Sequence, residues 1–192
     1  MAAFLISTGD KMQIYHVDED YVKYLRRFDE KVTIVKDKGK QRPYVGIVYN
    51  FDKMKYFAPF SSPEKDDGDN LTQEYRDKYS DNSKCTYEQI EKLKYGTILI
   101  NNMIPISENQ LISFDIDKIT DENYKTILKD QFIYCNDNKD RILKKAKKLY
   151  KMVTTYRQAH FVSVSCNFKF LEQKCLEYES INKIDKVAII EE

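Results

Sequence analysis

Histidine is nearly missing from this chain, with His16 and His160 the only two in 192 residues. A histidine pair acting as general acid and base is therefore poorly supported, and a lone histidine near a strand is ordinarily structural. Cysteine is sparse as well. Cys85, Cys135, Cys166 and Cys175 show no C-x-x-C spacing and no nearby histidine pair, so neither a zinc site nor a thiol redox motif is indicated. Reduced thiols in a cytoplasmic protein are the simpler expectation, with no metal and no cofactor. No apolar run approaches the roughly 18 to 20 residues that a bilayer-spanning helix needs. The opening Met1-Ala2-Ala3-Phe4-Leu5-Ile6 is apolar but short, lacks a basic start, and runs into Ser7-Thr8-Gly9-Asp10-Lys11 without a cleavage site, which argues against a signal peptide. A large net charge is lacking too, since 32 Lys and Arg against 31 Asp and Glu leave +1. Any binding of nucleic acid must come from local patches.

What is present fits one domain with a substantial core, and no repeat or linker divides it. A strand over 13–17 precedes a helix begun by Asp18-Glu19-Asp20, with Tyr21, Tyr24, Leu25 and Phe28 on one stripe. A strand over 32–35 and a charged loop over 36–40 lead to Arg42. From Tyr44 the residues alternate as a strand, Phe51-Asp52-Lys53 supplies a turn, and a second strand starts at Met54, with Pro59 expected to end the ladder. The stretch 66–83 reads as an irregular, mobile excursion, 86–93 as a short helix, and 97–100 and 111–116 as strands. The remainder is helical. Tyr124, Ile127, Leu128, Gln131 and Phe132 carry one helix up to Asn136-Asp137-Asn138. Ile142, Leu143, Ala146, Leu149, Tyr150 and Val153 form the core face of a second, with lysines opposite. Asn167 caps a third, whose inward residues are Leu171, Cys175 and Tyr178. Strands first and helices later give an α+β domain with a mainly antiparallel sheet packed by helices.

Phe60-Ser61-Ser62-Pro63-Glu64-Lys65 places a serine three residues before a glutamate with a proline in the first turn, the pattern of a helix start. It is either a plain capping box or, with two hydroxyls and a lysine at free N–H groups, a site for an anionic phosphate. Arg42 adds a permanent planar cation. RNA can be cut without metal if an enzyme helps the 2'-hydroxyl attack its own phosphate, stabilises the phosphorane and protonates the departing 5'-oxygen. Ser61 and Ser62 suit phosphate positioning, because a serine hydroxyl is a weak base.

The chain resembles the ToxN/AbiQ family of endoribonuclease toxins from type III toxin-antitoxin systems. The likeness runs through Tyr21-Val22-Lys23-Tyr24-Leu25, Phe28-Asp29-Glu30-Lys31-Val32, Tyr44-Val45-Gly46-Ile47-Val48, Lys55-Tyr56-Phe57-Ala58-Pro59-Phe60-Ser61-Ser62-Pro63, Asn102-Met103-Ile104-Pro105-Ile106 and Cys166-Asn167-Phe168. It implies a strongly bent sheet like the MazF-like barrels, in a domain spanning 12–192 with 1–11 as an N-terminal extension. It also implies catalytic roles for Arg42, Ser61, Ser62 and a nearby lysine. Glu64 stands where that lysine often follows the proline, so Lys65 either bends back into the site or the role has moved. Tyr21 matches a functionally implicated tyrosine, and as a stripe residue it also fits the core. The resemblance further implies inhibition by a repetitive folded RNA of pseudoknot type, in a closed ring of toxin and RNA. Lys144, Lys145 and Lys148 are the residues expected to contact it, against the simpler reading of a solvated helix side.

Three functions stand in competition. The first is a metal-independent endoribonuclease toxin that leaves 2',3'-cyclic phosphate and 5'-hydroxyl ends, is neutralised by antitoxin RNA and acts against phage by abortive infection. A non-catalytic RNA-binding module is the second. The third is a metal-dependent nuclease using Asp115 and Asp117, whose D-x-D spacing puts both on one strand face.

Overall fold

The computed structural model describes residues 11–188 except 35, 38–39, 52–53, 67–69 and 114. The proposed extension over 1–11 falls, but for Lys11, outside the described residues. Strand β1 (Gln13–Val17) enters α1 (Glu19–Arg26) through Asp18, whose carboxylate accepts from the Tyr21 N–H at 2.8 Å and pairs a donor the first turn leaves open. Tyr21, Val22 and Leu25 are the buried residues of α1. Phe28, from the same stripe, stays exposed and packs edge-on against Phe170.

The strand expected over 32–35 is not formed. Val32 is buried in a turn, position 35 is not described, and pairing starts one step later, between β2 (Lys36–Asp37) and β3 (Lys40–Gln41). The charged loop is thus a short ribbon. The hairpin of β4 (Tyr44–Phe51) and β5 (Met54–Ser61) matches expectation, although its turn at 52–53 lies outside the described residues. Pro59 does not end the ladder. It removes one N–H, but its carbonyl accepts from the Leu99 N–H at 2.9 Å and the next amide, Phe60, donates to Pro43 O at 3.0 Å. Pairing on both flanks carries β5 on to Ser61. Gly46 is required here because the Phe57 ring lies across it, 2.0 Å from where a Cβ would stand.

The excursion over 66–83 contains α2 (Gln73–Lys78), capped by Thr72, and Tyr75, Tyr79, Tyr87 and Leu93 form a small core of their own beneath it. The expected helix over 86–93 is replaced by β6 (Glu88–Gln89), after which Glu91, Lys92 and Leu93 all take positive φ. That left-handed run cannot belong to a right-handed helix. β7 (Thr97–Ile98) is shorter than expected because Ile100–Asn102 turns into a 3-10 helix before β8 (Ile104–Pro105). β9 (Leu111–Ser113) also stops early, and Ile116–Lys118 forms another 3-10 turn.

Among the described residues the main sheet is antiparallel in the order β6-β7-β5-β4-β1-β9, with β8 also pairing β5. β6 and β9 are its two ends, so among the described residues the antiparallel sheet is unclosed, and its pairing does not by itself establish the strongly bent sheet of a MazF-like barrel core. Helices α3 (Glu122–Asp137), α4 (Lys139–Thr154), α5 (Ala159–Val164) and α6 (Phe168–Ala188) follow, α5 being additional to the three expected. Tyr56, Tyr150 and Phe168 pack ring against ring between sheet and helices. The Glu172 carboxylate there accepts from the Tyr56 hydroxyl at 2.8 Å and the Tyr150 hydroxyl at 2.7 Å, so the phenols are buried without losing partners. All four cysteines are free and buried. No described helix is long and apolar enough to cross a membrane.

Candidate active site

Strand register assembles the site. Tyr44 opposite Pro59 puts Arg42, just before β4, beside the end of β5. The Arg42 guanidinium donates from Nη1 to Phe60 O at 2.6 Å and from Nε to Ile34 O at 3.2 Å, which fixes the plane of the fork. Ser61 is the last residue of β5 and Ser62 lies just beyond the ladder, so the two part company. Ser62 joins Phe60 in lining a cleft of about 320 Å³, whereas Ser61 is absent from that lining. Ser61 instead pairs with Thr97 in the ladder, where the buried Tyr75 hydroxyl lies 3.3 Å from Thr97 Oγ1, and the Ser61 Oγ lies 3.5 Å from Ser62 O. Burial pushes the Tyr75 phenol up, against the pull of the Thr97 and Ser61 hydroxyls near it.

No helix starts at Ser61. The pattern of a capping box is overridden by the pairing of Ser61 with Thr97, and 62–64 is irregular. Phosphate binding here therefore cannot draw on a helix N-terminus. Gly96 explains the tight passage. With φ at +95° it lies under the turn, and a Cβ on it would stand 2.1 Å from Ser61 O.

Lys65 is held at the cleft by backbone pairing of 64–66 with 70–72. It forms an isolated bridge with Leu71, while the Thr72 N–H donates to Glu64 O at 2.8 Å and the Asp66 N–H to Asn70 O at 2.9 Å. Lys65 lines the cleft with Arg42 and Ser62, and Glu64 does not. The opposite wall comes from α3 as Tyr124, Ile127 and Gln131. Among the described residues no carboxylate and no imidazole lines the cleft.

Other candidates lie elsewhere. Tyr21 is fully enclosed, donates its hydroxyl to Pro105 O at 2.6 Å and packs on Tyr178. Its place is in the core, as the helix stripe also allowed, and it is not among the residues that line the cleft. Lys145 is likewise corrected: it is buried, pairs with the enclosed Glu88 at 2.6 Å and donates to Asn82 O and Tyr87 O. Lys144 and Lys148 are exposed on α4, as expected. Asp115 and Asp117 do not share a strand face, because Asp115 caps the 3-10 turn and Asp117 pairs with Lys129 at 2.6 Å. His16 sits on β1, where burial lowers its pKa, and His160 packs beside Phe161 on α5.

Residues 13–176 match the family model described as toxin ToxN, type III toxin-antitoxin system. The chain belongs to the ToxN family. It is 32% identical to the endoribonuclease ToxN of Bacillus thuringiensis subsp. kurstaki over 181 residues, covering 91% of this chain and 88% of that one. Against the endoribonuclease AbiQ of Lactococcus lactis subsp. lactis it is 26% identical over 172 residues, covering 87% and 89%. A solved structure concerned with selective toxin inhibition by a non-coding RNA pseudoknot superposes with a TM-score of 0.73 at 29% identity, covering 88% of this chain and 99% of that one. The ToxN fold therefore extends over most of the chain, and the blocks from Tyr21 to Phe168 lie within the matched span.

Sequence reasoning missed Gly96, Tyr75 and Thr97 as supports of the serine turn, and it read Tyr124 and Gln131 only as helix-face residues. A glycine directly before Thr97-Ile98 was the one visible signal for the first of these.

Proposed function

We propose that this ToxN-family chain is a metal-independent endoribonuclease toxin whose reaction is transesterification at the Arg42, Ser62 and Lys65 wall. The single observation that carries this is the meeting of those three side chains in one cleft without a carboxylate among its described lining. A hard divalent cation takes oxygen ligands, mainly carboxylates, and this wall offers cations and hydroxyls instead. Such a wall suits a phosphate directly. Arg42, held by Phe60 O and Ile34 O, presents a fixed charge to the non-bridging oxygens, and Ser62 donates a hydrogen bond to the same group. The 2'-hydroxyl attacks phosphorus as its proton passes to solvent water, the bond to the 5'-oxygen breaks, and the Lys65 ammonium gives a proton to that oxygen and is reprotonated from solvent. The products are a 2',3'-cyclic phosphate and a 5'-hydroxyl end.

In this reading Ser61 acts from behind, through its ladder pairing and Tyr75, and holds the turn that aims Ser62. The regulator is a folded repetitive RNA, as the pseudoknot named for the similar toxin structure supports, in an assembly of toxin and RNA around a closed ring. Lys144 and Lys148 neutralise its backbone, and abortive infection by phage is the setting. Expression without antitoxin RNA should arrest bacterial growth. Arg42→Ala and Ser62→Ala should each restore it, while persistent arrest by either soluble variant would count against the site. The non-catalytic alternative predicts no arrest by the parent chain.

A further inference from the structure

The wall opposite the cations has a composition that phosphate chemistry does not require. Tyr124, Ile127 and Gln131 recur at i, i+3 and i+7 along α3, which sets an aromatic ring, an aliphatic side chain and a carboxamide along one face of the cleft. The Asp121 carboxylate accepts from the Tyr124 N–H at 3.0 Å and fixes the first turn, so the wall begins from a capped end. The Tyr124 ring is half-buried and lines the cleft.

Gln131 is the unusual member. It is 4% exposed, and its Nε2 donates to Tyr95 O at 2.7 Å, which sets the orientation of the amide. Its Oε1 is buried and has no hydrogen-bond partner among the described residues. A buried acceptor without a donor is costly and rare in a folded chain. One Nε2 hydrogen is engaged by Tyr95 O, and Oε1 is the amide atom left without a partner among the described residues. A ligand group that satisfies it must be a donor, and on a nucleobase edge that donor is an N–H.

We propose that the α3 wall is a nucleobase subsite in which Tyr124 stacks on the base next to the scissile phosphate and Gln131 Oε1 accepts from that base's exocyclic amino group. Adenine and cytosine carry that amino donor on the edge where guanine and uracil carry a carbonyl oxygen. The subsite therefore takes the first pair and sets acceptor against acceptor for the second. Stacking on a tyrosine is tolerant of base identity, so Tyr124 supplies affinity and Gln131 supplies choice. The atom is closed to solvent in the unliganded chain, so an entering base parts the wall and supplies the missing donor. The placement of the phosphate rests on the cleavage reading above.

The test is titration of the intact protein with adenosine 3'-monophosphate and purine riboside 3'-monophosphate, which differ only in the exocyclic amino group. The adenosine nucleotide should bind about tenfold more tightly, the worth of one hydrogen bond to an otherwise unpaired acceptor. Gln131→Leu should bring the ratio to one. Tyr124→Ala should weaken both nucleotides by about tenfold and leave their ratio unchanged. Equal affinities in the parent chain, or a preference that survives Gln131→Leu, would overturn the subsite. If RNA is cleaved but the two nucleotides bind alike, the subsite fails and the proposed reaction stands. Discrimination between the nucleotides without RNA cleavage would uphold the subsite and remove the reaction.

Discussion

Lys65 follows Glu64, and on a helix that one-residue displacement would turn its side chain by about 100 degrees away from the position directly after the proline. The helix is not there. The bridge to Leu71 bends the chain instead, and Lys65 comes to line the cleft beside Ser62. If Lys65 protonates the leaving oxygen, charge alone is not enough. Lys65→Arg keeps the cation but holds its protons too tightly to release them. Single-turnover cleavage should then fall by about a hundredfold with RNA binding retained. Equal rates for the two proteins would reduce Lys65 to an electrostatic role.

A second contrast at the same scale separates two lysines three residues apart. Lys148 is exposed on α4, whereas Lys145 makes an ion pair with Glu88 inside the protein. Replacing Lys145 with alanine should destabilise the fold by about 3 kcal/mol in chemical denaturation, because it strips a partner from a buried carboxylate. Lys144→Ala with Lys148→Ala should leave stability nearly unchanged and flatten the salt dependence of RNA binding by about 0.7 to 0.9 per lost phosphate contact. An unchanged slope in the double variant would remove α4 from the RNA surface.

Elements explain why some of this was legible and some was not. The β4–β5 hairpin and the helices α3, α4 and α6 were visible because their apolar residues recur at strand or helix spacing over many positions. The stripe on α4 even contained a clue about Lys145, which lies three residues after Ile142 and one before Ala146, both buried. Its charge masked the periodicity. The short elements depended on partners far away in sequence. Ser61 looked like a helix cap and became a strand end because Thr97 pairs with it, and Glu88 looked helical and became a bridge because β7, Arg141 and Lys145 all meet it. Local propensity does not encode such contacts.

Gly96 lets an element-level prediction reach the site. At φ +95° it packs under the backbone of Ser61, and Pro63 Cδ lies 3.4 Å from where a Cβ would stand. Gly96→Ala should force the end of β5 to move, lower stability by roughly 1–3 kcal/mol and reduce cleavage beyond what the stability loss explains at permissive temperature. Full activity in a folded Gly96→Ala protein would show that the serine turn need not be held from below.

At the scale of the molecule, one open antiparallel sheet gathers the N-terminal half and four helices close over it. The hairpin end carries the cations, α3 supplies the opposite wall, and α4 presents Lys144 and Lys148 to solvent while Lys145 ties it to β6. Cleft and outer basic surface thus belong to neighbouring helices, joined through Asn138. An RNA that covers α4 while reaching into the cleft would bind and inhibit in the same act. The resemblance to type III toxins was legible from Tyr21-Val22-Lys23-Tyr24-Leu25 to Cys166-Asn167-Phe168, but the open sheet and the separation of Ser61 from Ser62 required the fold.

Metal-independent transesterification at the Ser62 wall can be read from the ends of the RNA it leaves. The purified protein and Ser62→Ala are incubated with RNA in excess EDTA and the product ends are mapped. The parent chain should give 2',3'-cyclic phosphate and 5'-hydroxyl termini, and the variant should lose at least about tenfold in rate. Cleavage that stops in EDTA, leaves 5'-phosphate ends, or proceeds equally without the Ser62 hydroxyl would contradict it.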